Sequence, residues 1–285
     1  MQLGIFAKTF AGTDPATVLA AARRAGYATV QYNMSCSGLP SMPDAIDPAV
    51  ATAVGAQSKA QGVAMAAVSG TYNMIHPDPA VRTAGHARLE AIAGACAAMG
   101  TRLITLCTGT RDAKDMWHEH PDNHTAAAWS DLVESMRTAI AIADRHDLEL
   151  GIEPELANVI DSAAKAKALI DEIGSPRLRI VLDPANLFEV QPVEQQRRIV
   201  ADAIELLADR ISLAHAKDRH ADGRFATAGT GVLDYAHYLW CLRGAGFDGP
   251  LITHGLAESE APGVAQFLER TCDELGILLA TGRAA

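Results

Sequence analysis

Leu150-Gly151-Ile152-Glu153-Pro154 and Ile180-Val181-Leu182-Asp183-Pro184 share one plan, a short apolar run closed by an acidic residue and a proline. Two further runs, Ser212-Leu213-Ala214-His215 and Leu251-Ile252-Thr253-His254, end in histidine at the corresponding point. Apolar runs of this length without polar alternation predict strands buried on both faces. Helix-like segments separate them: Asn158 to Ile173, closed by Gly174 and Pro176, then Pro192 to Ala208, and Tyr235 to Ala245. A last helix is predicted from Ala261 to about Leu275.

Moving toward the N-terminus, the same unit repeats. Gln2 to Phe6 reads as a strand, and Asp14-Pro15 opens a helix that stops at Gly26, with an acceptor at the cap and proline where its missing N–H costs nothing. Strands are predicted at Ala28–Gln31, Val63–Val68, Arg102–Leu106 and Leu148–Ile152, and helices over 47–61, 79–98 and 124–147. Eight strand–helix pairs predict an α/β fold of the (β/α)8 TIM barrel type. No GxGxxG follows the first strand and no phosphate-binding P-loop motif occurs, which argues against a doubly wound open sheet. Since no Pro-, Gly- or Ser-rich linker divides the chain, residues 1–285 are expected to form a single domain.

Hydrophobic residues make up 49% of the chain, enough for a large core, and the formal charge is -10. A phosphate backbone is held by clustered Lys and Arg, so nucleic acid is not an expected partner. Five widely spaced cysteines without a CxxC pair indicate a reducing compartment and neither a disulfide framework nor a zinc ribbon. Without a basic leader and apolar h-region, or an apolar run of spanning length, the expected location is cytoplasmic, with no membrane partner.

Barrel closure would carry Glu153, Asp183, His215 and His254 to one mouth. Two carboxylates and two imidazoles suit a divalent transition metal, Mn²⁺ or Zn²⁺ before Co²⁺ or Fe²⁺, better than Ca²⁺ or Mg²⁺. Taken singly, each also serves as a turn or capping residue; four at successive strand ends favour the metal. The long loop after the fourth strand adds Thr108-Gly109-Thr110-Arg111, read as a cradle for an anionic group, and Trp117, read as a cover for a sugar ring. His118, His120 and Asp122 are candidate supporting groups. Asn73 and His76 in the preceding loop are candidate substrate contacts. Lys217 either neutralises charge on the substrate or pairs with Asp218 or Asp234 at the rim.

The segments Gly-Ile-Glu-Pro, Leu-Asp-Pro-Ala-Asn and His-Ala-Lys-Asp, with Gly229-Thr230-Gly231-Val232-Leu233-Asp234 and Gly249-Pro250-Leu251-Ile252, resemble the sugar phosphate isomerase/epimerase family of xylose isomerase-like TIM barrels. The resemblance runs over nearly the whole chain. It implies that Glu153, Asp183 and His215 bind a divalent ion. In the epimerases, glutamates on strands five and eight also exchange protons on opposite faces of the substrate. Here the strand-eight position is His254, and Asn186 stands where many relatives have a substrate-binding histidine.

The resulting expectation is a metal-dependent isomerase or epimerase of a small sugar or polyhydroxy carbonyl compound. Glu153 would take a proton, His254 would ligate the ion or return the proton, and Lys217 and Arg111 would orient substrate or stabilise charge. Glu155, Asn186 and Glu258 are further substrate contacts. A lyase or dehydratase, a metal-dependent hydrolase and a non-catalytic sugar-binding barrel are the alternatives, and homo-oligomer formation is left open.

Overall fold

The computed structural model describes residues 1–283. Its strands are β1 (Gln2–Phe6), β2 (Thr29–Tyr32), β3 (Ala64–Ser69), β4 (Leu103–Cys107), β5 (Glu149–Glu153), β6 (Leu178–Leu182), β7 (Ile211–Ala216), the short pair β8 (Asp218–Arg219) and β9 (Phe225–Ala226), and β10 (Pro250–Thr253). All but β8 and β9 join one closed parallel barrel in the order β1-β10-β7-β6-β5-β4-β3-β2. Closure is made by β1, which pairs with both β2 and β10. The expected TIM barrel is therefore the observed fold.

Eight helices cover the barrel: α1 (Pro15–Arg24), α2 (Pro48–Gln61), α3 (Pro79–Met99), α4 (Ala126–His146), α5 (Ala163–Ile173), α6 (Val193–Leu207), α7 (Tyr235–Gly244) and α8 (Ala261–Glu274). Asp14, Asp47, Asp78 and Asp234 each accept a first-turn amide at their helix N-termini. Small residues let the helices approach closely: a Cβ on Gly55 of α2 would stand 2.1 Å from the Ala98 carbonyl oxygen of α3. Among the described residues no helix is long and apolar enough to cross a membrane.

Inside the barrel, Ala67, Leu103, Val181, Leu213 and Ile252 form an apolar floor separate from the larger core between strands and helices. Strand side chains alternate between these two compartments. Above the floor the inward positions become polar, and there the candidate residues gather.

Two local expectations change. The helix expected from Asn158 begins at Ala163, after the Ser162 cap. The buried Asn158 side chain accepts the Gly109 amide at 2.6 Å and Ile160 donates to Thr108 Oγ1 at 3.2 Å, so tertiary bonds hold the segment before Ser162 against the strand-four loop. Strand β7 extends through His215 to Ala216, two residues beyond the predicted end, because β10 supplies a continuing partner edge at Ile252 and Thr253. The β8–β9 hairpin was not expected from the sequence.

Candidate metal centre

Glu153 is the last residue of β5, Asp183 follows β6, His215 lies in β7 and His254 follows β10. One ligand atom from each lies within 4.8 Å of all the others. His215 Nδ1 stands 3.3 Å from Glu153 Oε1 and 3.5 Å from Asp183 Oδ2, and His254 Nε2 is 3.0 Å from Asp183 Oδ2. Bonds of about 2.0–2.2 Å to a four-coordinate ion place neighbouring ligand atoms about 3.3–3.6 Å apart, so the donor set fits one divalent cation.

The surrounding charges act differently on each of these groups. Burial works against ionised Asp183, yet Lys217, His215 and His254 outweigh it and hold its pKa well below the usual carboxylate value. Burial also disfavours charged His215, but Glu153 and Asp183 overcome this and raise its pKa to about 9. For His254 burial dominates, joined by the charges of His215 and Lys217, and lowers the pKa to about 4. A neutral imidazole is the form that ligates a metal. Glu155 is pushed up to about 8 by burial and then by the charge on Glu153.

Asn186 ties these groups together. Its amide nitrogen donates to Glu153 Oε1 at 2.7 Å and Glu155 Oε1 at 3.2 Å, while its oxygen accepts from Lys217 Nζ at 2.8 Å. An ammonium can only donate, so Lys217 sets the direction of the amide and aims its nitrogen at both carboxylates. Lys217 is also 3.0 Å from Asp183 Oδ2. The alternative pairing of Lys217 with Asp218 or Asp234 does not occur: Asp218 accepts backbone amides, and Asp234 pairs with Arg197.

Gln31, not anticipated from the sequence, supports His215 from β2. Its Oε1 is 3.0 Å from His215 Nε2, and its nitrogen donates to Thr105 Oγ1 at 3.1 Å. An N–H donated to Gln31 leaves the Nδ1 lone pair for a metal. A long amide in a strand expected to be buried was the available signal. Gln31→Met, which keeps the shape and removes the acceptor, is expected to weaken Mn²⁺ affinity about 10- to 100-fold by isothermal titration, whereas Gln31→Glu retains an acceptor and loses less.

A cavity of about 310 Å³ opens above the cluster. Glu153, Glu155, His215 and His254 line its depth, Phe6 and Trp117 provide aromatic surface, and Gln31, Asn33, Ser69 and Thr71 supply neutral polar groups. Its volume lies within the range of small-molecule sites. Asn73, His76, Arg111 and Glu258 do not line it. Asn73 braces the strand-four loop, accepting from Thr110 N at 3.1 Å and donating to Thr110 O at 2.8 Å. His76 accepts from Asp78 N at 3.0 Å. The Arg111 guanidinium turns to Asp131 at 2.7 Å and the Ile75 carbonyl at 3.1 Å. Exposed Glu258 accepts from Ala11 N at 3.2 Å. His118 and His120 pair with Asp112 and Asp122.

No curated protein sequence matches the chain. Among solved structures, L-ribulose 3-epimerase is similar with a TM-score of 0.75 at 17% identity, covering 96% of this chain and 97% of that one. The 3-keto-D-glucoside 4-epimerase of E. coli gives 0.73 at 17%, covering 97% and 99%, and a xylose isomerase domain protein of Planctomyces limnophilus gives 0.71 at 18%, covering 96% of each. At these identities the likeness is one of fold. The family model described as xylose isomerase-like TIM barrel matches residues 19–270, and the chain belongs to that family.

Proposed function

We propose that the protein is a divalent-metal-dependent isomerase or epimerase that moves a proton on a carbon next to the carbonyl of a small sugar. The convergence of Glu153, Asp183, His215 and His254 beneath a polar cavity carries this reading. Glu153, Asp183 and His215 would hold the ion, with His254 as a fourth ligand or as a proton carrier, and Mn²⁺ or Zn²⁺ suits the mixed N/O donors. A bound ion supplies a Lewis acid for the substrate oxygens. Glu153, whose Oε1 is fixed by Asn186, takes the proton. His254 and Glu155 border the same cavity and are the two groups placed to return it. Lys217 keeps Asp183 ionised and the Asn186 amide aligned. That epimerases are among the proteins sharing this fold supports the general reaction class.

The test is deuterium incorporation from D₂O into a panel of ketoses, followed by NMR. The expected result is exchange at the carbon next to the carbonyl with Mn²⁺ or Zn²⁺ and its loss on chelation, together with thermal stabilisation on adding the ion, about 2.7 kcal/mol at one hundred times Kd. Absence of both exchange and stabilisation would sink the proposal.

A further inference from the structure

We infer that two copies of this chain associate through a two-fold contact in which Trp240 of each enters a hollow between α6 and α7 of the other. The contact concerns the outer wall of the barrel and does not depend on the reaction. Helices of a (β/α)8 barrel run back against the strands, so the C-terminal halves of α6 and α7, where the hollow lies, are toward the end opposite the metal centre.

The hollow has a volume of about 300 Å³. Ala201, Ile204 and Ala208 line it from the α6 side, and Cys241, Gly244 and Ala245 from the α7 side. Short side chains keep it open, and Gly244 gives the clearest sign that the opening serves something outside the chain. It is the last residue of α7, and its φ is not positive. A Cβ added there would meet no heavy atom within 4 Å. Neither the backbone nor the packing of one chain calls for glycine at this point, although glycine weakens a helix. A side chain from another molecule in that space does call for it.

Trp240, one turn earlier on α7, supplies such a side chain. It is 58% exposed, with the Arg243 guanidinium 5.8 Å from its ring centre. Residues four apart on a helix share a face, so the knob and the hollow adjoin. A patch that carries both is self-complementary, which is what a two-fold interface requires. Tryptophan is also among the residue types that most often anchor interfaces.

Charge follows the same pattern. Exposed Arg243 flanks the knob and exposed Glu205 borders the hollow. Seating each Trp240 therefore brings the arginine of one copy beside the glutamate of the other, twice over. A second copy of the chain has this match by symmetry; an unrelated partner would need both a knob and a cation at the same spacing.

The experiment is sedimentation velocity on the full chain across a dilution series, with circular dichroism to show that each variant is folded. The parent is expected to sediment at twice the 30.0 kDa of one chain. The upper concentration is about 50 µM, above the micromolar Kd at the weak end of interfaces of ordinary size. Trp240→Ala, which removes the knob, and Gly244→Leu, which fills the hollow, should each weaken the dimer by at least about 30-fold. Both positions are open to solvent in one chain, so the folded monomer is retained. Glu205→Arg and Arg243→Glu should each weaken it by about tenfold, and the double variant should return to within about threefold of the parent. A monomeric parent at the upper concentration overturns the inference. So does a Trp240→Ala or Gly244→Leu protein that dimerises within about threefold of the parent, or a double charge variant no tighter than the weaker single one.

Discussion

Glu153→Gln is expected to lower deuterium exchange into the substrate by about 10³-fold at saturating Mn²⁺, within the range for loss of a positioned general base. Glutamine preserves the size of the side chain, and its oxygen can still accept from Asn186. The substitution removes the proton acceptor and one charge from the cluster. Metal affinity should fall as well, so the comparison is made with the ion in excess and the affinity measured separately. Glu155→Gln and His254→Gln are the companions: the variant that loses the second proton carrier should suppress net epimerisation more than wash-out of the first proton. If Glu153→Gln retains exchange within about threefold of the parent with metal bound, Glu153 is not the base.

Asp218→Ala is expected to destabilise the protein by about 3–5 kcal/mol, because it leaves two buried and two part-buried amides without an acceptor. The carboxylate receives Gly229, Gly231 and Leu233 in addition to the adjacent Arg219 amide at 2.8 Å. Space is also tight there, since a Cβ on Gly231 would stand 2.1 Å from the Arg219 carbonyl oxygen. At about 2–4 °C per kcal/mol for a large domain, the Tm should fall by about 10 °C in a thermal scan. Asp218→Asn keeps one oxygen acceptor and should fall less. Acetate or inorganic phosphate should partly restore the Asp218→Ala protein by entering the vacated group of amides. A Tm within about 2 °C of the parent would show that these bonds do not hold the loop.

The barrel and its four strand-end candidate ligands were legible because both depend on a local repeat. Each unit places an apolar run before a turn, and the turn brings a potential ligand to the same end of the sheet. Asn186 and Lys217 were recognisable as members of the site, but their joint role depends on atoms from β5, β6 and the end of β7 meeting in space. Arg111 shows the opposite case. Its residue type suited an anion, yet helix α4 supplies Asp131 and the loop turns the guanidinium away. The Asn158 segment resembles the start of a helix, but bonds from the strand-four loop satisfy its backbone and side chain and delay α5 to Ala163.

Sequence periodicity by itself determined the fold class and the convergence of Glu153, Asp183, His215 and His254, since strand order and burial follow from where apolar residues recur. Only the tertiary structure decided which polar groups remain available to a ligand. A side chain or amide can be claimed by any partner the fold brings within about 3 Å, and that partner can lie far away in sequence. Asn158, Asn73 and Asn123 take up the amides that looked ready for an anion, Asp218 takes those of the glycine-rich loop, and Gln31 reaches across the barrel to orient His215.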